Sequence, residues 1–271
     1  EHKNMNQFLH EFFFATPNDS LFFLELLKFT QDSLVQYTYS QVQEKHADLN
    51  NLELQIEDAF KHIKYHLNID SFPRCYTLLT HSEVQAFTYP GLLMLSIDRY
   101  FGADYAYPTP NTPNYKRVRM LPEYMIINLM KSYFNSLFPE DQNTDNTLLS
   151  RMIYEGKKLY FLDAILPKVS DTLKVEYDKS QLQWCFENEY QIYDHMVSEN
   201  LLFETDHLKS DKYLHEAPHT QGVPVKSPPR LGQWFGWQIV RHYMQETGAS
   251  LTELLQNKNY QDILKKAKYK P

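Results

Sequence analysis

The chain carries 271 residues, a formal net charge of -7, 42% hydrophobic residues and 15% aromatics. That length and apolar content supply a sizeable core. The acidic balance, with no basic face, excludes nonspecific nucleic-acid binding, which draws on clustered lysine and arginine. Two cysteines, Cys75 and Cys185, exclude a disulfide framework. No apolar run approaches the roughly 20 residues that cross a bilayer.

In chain order, residues 5–15 and 19–30 place Phe, Leu and Met at helical spacing, with Asn18, Asp19 or Ser20 able to cap the second segment. Residues 51–67 put Leu52, Ile56, Phe60, Ile63 and Leu67 on one stripe and their charges elsewhere, which predicts an amphipathic helix. The period then changes. Arg74 to Thr80, Ser82 to Tyr89 and Gly91 to Gly102 are short, rich in β-formers and separated by turn residues such as Pro90-Gly91. Two or three strands of a small antiparallel sheet are expected. Asp98 and Arg99 stand at the end of the last one, open to two readings: part of a site, or a structural ion pair.

Residues 103–118 hold three prolines and little apolar periodicity, which predicts a long irregular loop. Helices follow over 121–138, with Pro122 in the first turn, and over 144–166, with Asn143, Thr144 or Asp145 as cap and Pro167 as stop. Residues 177–202 read as one long helix with Leu182, Cys185, Phe186, Ile192, Met196 and Val197 as its apolar stripe. Glu187 and Glu189 are two positions apart on it and point to different faces, so they do not form a paired acid and base.

The chain contains one literal HExxH, His215-Glu216-Ala217-Pro218-His219. That spacing binds zinc when a helix points both imidazoles at one metal and the glutamate activates water. Here Pro218 removes an amide and disfavours helical backbone at Ala217, and the surrounding HEAPHTQGVPVKSPP is rich in prolines, so a loop is expected in place of a metal helix. Next comes SPPRLGQWFGWQIVRHYM, Ser227 to Met244. A chain with only seven glycines places Gly232 and Gly236 around Trp234, as a backbone needs where something approaches closely. Trp237, Val240, Arg241 and Met244 then recur at helical spacing. Trp234 and Trp237 read either as anchors of this helix or as the floor of a groove. Two short helices, 251–256 and 260–267, precede a final Tyr269-Lys270-Pro271.

PPRLGQWFGWQIVRHYM and the closing YKP, together with SIDRYFG at 96–102, Glu155-Gly156 and WCFENE at 184–189, resemble the gliding-motility lipoprotein GldB family of Bacteroidetes. The resemblance implies a single domain over 1–271: N-terminal helices at 1–70, a small sheet at 71–102 and a helical part at 119–271. It implies a mainly helical α+β fold of zincin type with a small antiparallel sheet. It also implies a protein of the cell envelope, facing the periplasm and tied to the membrane only through a lipidated cysteine upstream of Glu1. In zincin peptidases a second helix supplies a glutamate ligand, often within an EG pair, and Glu155-Gly156 matches that pair. The helix before it, MIINLMKSYF, carries no histidine, so no catalytic residue, metal or cofactor is expected.

Two functions follow. The first is a noncatalytic binding or scaffold component that holds other envelope proteins or a peptide segment, in a groove lined by Asp98, Arg99, Glu155, Arg230, Trp234, Trp237 and Arg241. The second is an unorthodox zinc-dependent peptidase or hydrolase that uses His215, His219 or other histidines with Glu155.

Overall fold

The structure, a computed structural model, describes residues 2–13, 19–103, 112–140 and 145–271. The chain opens with α1 (His2–Phe13), α2 (Ser20–Gln31), α3 (Ser33–Lys45) and α4 (Asn50–Leu67), followed by β1 (Arg74–Leu78), β2 (Ala86–Tyr89) and β3 (Leu92–Ser96). It continues through α5 (Asn114–Arg117), α6 (Met125–Leu137), α7 (Leu148–Ile165), α8 (Asp171–Val175), α9 (Lys179–Glu187) and α10 (Glu189–Ser198). It ends with α11 (His207–Leu214), α12 (Leu231–Thr247), α13 (Leu251–Gln256) and α14 (Tyr260–Ala267). This is the mainly helical α+β architecture that the sequence predicts. No described helix is long and apolar enough to cross a membrane. Two compact units emerge, residues 1–57 with 70–136 and residues 58–69 with 137–271, the division falling within α4.

The first unit is built on a three-stranded sheet in the order β1-β3-β2. Every residue of β3, Leu-Leu-Met-Leu-Ser, is buried, as expected of a central strand covered on both faces. One face gathers Tyr76, Phe87, Tyr89, Leu92 and Met94 against Phe8 of α1, and the Tyr89 hydroxyl donates to Glu11 at 2.6 Å. On the other face, Cys75, Thr77 and Leu95 line a cavity of about 270 Å³ with Leu52 and Ile56 of α4 and Leu129 of α6.

The sheet is mixed where an antiparallel one is expected: β2 pairs with β3 antiparallel, but β1 pairs with β3 parallel. The Pro90-Gly91 turn, with Gly91 at φ +73, makes the β2–β3 hairpin, while the 79–85 connection carries the chain across β3. Asp98 holds that crossover. Its buried carboxylate accepts the amides of Thr80 at 3.2 Å and His81 at 2.9 Å, and His81 sits at φ 50. Side-chain alternation is the same for either strand direction, so the sequence pattern is silent on this point.

Three further boundaries differ from expectation. Helix α3 is not anticipated, because its buried residues, Val35, Thr38 and Val42, are β-branched and widely spaced in a polar sequence. Asp32 makes it possible by closing α2 and capping α3, accepting from Leu34 at 2.8 Å and Val35 at 3.1 Å. The expected long helix over 177–202 is α9, α10 and a 3-10 turn at Leu201–Phe203. Asn188 separates α9 from α10 at φ -115, ψ 11, where its side chain donates to the Trp184 carbonyl at 2.8 Å, a local bond that competes with helical continuation. Helix α7 begins at Leu148, capped by Thr147; Asn143 and Thr144 lie outside the described residues. So does 104–111 of the expected loop, whose later part contains the single turn α5.

In the second unit α12 packs against α7 and α14. Trp234, Phe235, Trp237, Ile239 and Val240 of α12 are all fully enclosed. The C-terminal segment closes this core: Tyr269 meets Tyr193, Phe235 and His242 edge-on, and its hydroxyl donates to Glu189 at 2.5 Å.

Candidate functional site

The α7–α12 pair is held at backbone distance by glycine. A Cβ added to Gly156 would lie 2.2 Å from the carbonyl carbon and oxygen of Gly236, and one added to Gly236 would lie 1.7 Å from the Met152 carbonyl oxygen. Gly232 is tight as well, with the Tyr213 carbonyl oxygen at 2.9 Å. The close approach expected around Trp234 is therefore helix against helix. It also accounts for the glycine of Glu155-Gly156, whose small size admits α12. Glu155 itself pairs with Lys158 one turn on, at 2.8 Å.

Three further residues surround Trp237 and Arg241. Asp163 of α7 accepts from Trp237 Nε1 at 2.9 Å, from Arg241 Nε at 2.9 Å and from Lys174 of α8 at 2.9 Å. Asp171 receives the two Arg241 terminal nitrogens at 2.8 and 3.0 Å, a bidentate geometry that fixes the guanidinium plane. That plane lies 3.6 Å over the Trp237 ring. Burial pushes the Arg241 pKa down, but hydrogen bonds and charge from Asp171 and Asp163 outweigh it and hold the group above its ordinary value. The network ties α12 to α7 and α8. The expected site residues do not include Asp163, Asp171 or Lys174, although one carboxylate inside YFLDAIL is a signal, since such a group is rarely buried without partners.

Arg230 opens α12 in the left-handed region, at φ 57 and ψ 35. Its guanidinium reaches Glu176 at 3.1 Å, the Val175 carbonyl at 3.1 Å and Glu216 at 2.5 Å. Burial lowers its pKa and the charges of Glu176 and Glu216 raise it, with a net rise. This geometry fixes the fate of the literal HExxH. Helix α11 ends at Leu214, and His215 caps it in extended backbone at φ -92, ψ 160, so His215 and His219 do not share a helical turn. Glu216, in the general-base position of that motif, is an ion-pair partner of Arg230.

Asp98 and Arg99 belong to the first unit and the other five expected groove residues to the second. Arg99 is 3% exposed, with a terminal nitrogen 3.9 Å from the Met120 sulfur. Burial pushes its pKa down, opposed by Asp98 and Glu83. Among the seven, Arg230 and Arg241 each anchor a network within the second unit, and Trp234 and Trp237 are 0% exposed. Among the described residues no cluster of three or more His, Cys, Asp or Glu side chains is arranged to hold a metal ion.

The open surface near α12 lies on its neighbours. Thr172 of α8 and Lys179, Leu182, Gln183, Phe186 and Glu187 of α9 surround a shallow recess of about 460 Å³. Phe186 is 51% exposed and meets Trp234 edge-on, with ring centroids 5.4 Å apart. The recess thus has an apolar wall seated on the core and a polar rim, the arrangement of a small contact site.

The family model described as "Gliding motility protein GldB" matches residues 1–271. No curated protein and no solved structure matches the chain, so the likeness to zincins rests on the sequence resemblance alone.

Proposed function

Because the chain belongs to the GldB gliding-motility family, a family of lipoproteins, we propose that it is a noncatalytic component of the cell envelope that holds another envelope protein or a peptide segment of one. One observation carries the reading: the two carboxylates that a peptidase of zincin type would use are engaged by the chain's own cations. Glu155 pairs with Lys158, and Glu216 pairs with Arg230. A general base must be within reach of a proton on its substrate or water, and Glu216 is instead drawn to a buried guanidinium.

The contact surface in this reading is not the enclosed tryptophan pair but the recess that Phe186 builds over Trp234. Its half-exposed aromatic and its rim of Lys179, Gln183 and Glu187 supply an apolar anchor with polar orienting groups. The α7–α12 pair serves as the rigid support behind it.

Elemental analysis of the protein purified without chelators tests the noncatalytic part. The expected result is zinc well below one per chain. One tightly held zinc, lost on His215→Ala or Glu155→Ala, would overturn it.

A further inference from the structure

Helix α2 is apolar on both sides. Its inner side carries Phe22, 6% exposed, yet Phe23, Leu24 and Leu27 remain 59%, 53% and 50% exposed, and Leu21 is 48% exposed. At 100° per residue Phe23, Leu24 and Leu27 fall on one outward stripe opposite Phe22. No acidic residue stands on that stripe: Glu25 lies toward the inner side and pairs with Lys28 at 2.7 Å, and Asp19 and Asp32 sit at the helix ends as caps. Other exposed large apolar side chains, such as Leu54, Leu208 and Val225, stand apart in sequence, and single ones need no explanation. Four on one twelve-residue helix do.

We propose that the outer stripe of α2 inserts into the interfacial layer of a lipid bilayer, as a second membrane contact beyond an acyl anchor. This rests on the lipoprotein reading above, which places the chain at a bilayer surface. A weak apolar face on a tethered protein meets lipid at high effective concentration, so such a stripe adds a contact to the anchor without binding tightly by itself. Phe23 is suited to the interface, and leucines alongside it reach the acyl boundary. The stripe has no lysine or arginine cluster, so it fits neutral lipid and does not depend on anionic headgroups.

The experiment uses the full 271-residue chain without an acyl group and neutral phosphatidylcholine vesicles, with flotation to separate bound from free protein. Binding is expected to be measurable and to fall at least about tenfold in Leu24→Glu/Leu27→Glu, since each leucine withdrawn from apolar surroundings is worth roughly tenfold or more. The melting temperature of the double variant should match the parent, and Leu208→Glu should bind as the parent does. No vesicle binding by the parent, or equal binding by parent and double variant, overturns the proposal. So does a concentration-dependent dimer abolished by the double variant without vesicle binding, which assigns the stripe to a second copy. Mass analysis of the protein isolated from its native envelope tests the lipoprotein reading separately: a missing acyl group removes that reading and leaves the vesicle result standing.

Discussion

Gly156 of α7 and Gly236 of α12 bring the two helices to backbone contact: the Gly236 carbonyl fills the space where a Gly156 Cβ would be, and the Met152 carbonyl fills that of a Gly236 Cβ. The obstacle is main chain on both sides, so no side-chain rotation can relieve a substitution. Gly156→Ala and Gly236→Ala should each destabilise the protein by about 3 kcal/mol, the upper end of typical overpacking costs. Gly248 supplies the contrast: it closes α12 at φ +63 with open space around it, so Gly248→Ala should cost only about 1 kcal/mol, from backbone strain alone. Denaturant midpoints of the three variants give the ranking, and equal losses would refute the close-packing account.

Asp163 and Asp171 both hold Arg241, yet they should not weigh the same. Asp163 also receives Trp237 Nε1 and Lys174, and Lys174 is 5% exposed at its side chain. Removing Asp163 leaves buried donors and charge uncompensated, which typically costs about 3–5 kcal/mol. Asp171 is 37% exposed at its side chain, and pairs of that kind contribute about 1 kcal/mol or less. Thermal unfolding of Asp163→Ala and Asp171→Ala should therefore differ widely, with Asp163→Ala much the weaker protein.

The histidine-containing loop makes a prediction that separates structure from chemistry. The His215 side chain is 64% exposed, so His215→Ala should change stability by no more than about 0.5 kcal/mol. Glu216→Ala removes one of the two carboxylates on buried Arg230 and should cost about 1–3 kcal/mol. A large loss at His215 with none at Glu216 would reverse the roles given to these two residues.

Lys157 gives a pH signature. Burial, with Lys258 repulsion as a smaller cause, pushes its pKa from 10.5 down to about 8, and its ammonium donates to the Asn257 carbonyl at the end of α13. Below about pH 8 it is protonated in both folded and unfolded chains, and the cost of burying the charge is fully present. Between about 8 and 10.5 the unfolded chain binds more protons than the folded one, so this group's contribution to stability rises with pH. The melting-temperature difference between the parent and Lys157→Met should shift in the parent's favour from about pH 8 to about pH 10. A flat or opposite trend would show that Lys157 is not the source.

The sequence and the structure agree where a signal is local and periodic. The stripe of Leu52, Ile56, Phe60 and Ile63, the paired short helices after Ser250 and the glycines around Trp234 all carry their meaning in spacing. Agreement ends where the cause is distant in sequence. Strand β1 runs parallel to β3 because Asp98 fixes a crossover some 17 residues earlier, and alternation carries no trace of that. Tyr269 in the terminal YKP is a core residue because Glu189, 80 positions away, accepts its hydroxyl. Arg230, Trp237 and Arg241 stand out in the sequence as unusual, but their partners, Glu176, Asp163 and Asp171, lie 54 to 78 positions away, and of the three only Asp163, inside an apolar run, stands out there. Charge alone could not say whether these arginines face a partner protein or the chain itself.

The measurement that bears most directly on the proposed function is complementation in a gliding host that lacks its own copy of this protein. The triple variant Glu155→Gln/His215→Ala/His219→Ala removes the groups available for metal-assisted hydrolysis, while the amide oxygen introduced by Glu155→Gln keeps a hydrogen-bond acceptor for Lys158. With envelope levels matched to the parent by immunoblot, the account predicts that colonies spread as they do with the parent chain. Loss of spreading at matched levels and unchanged melting temperature would contradict it and assign these residues to catalysis.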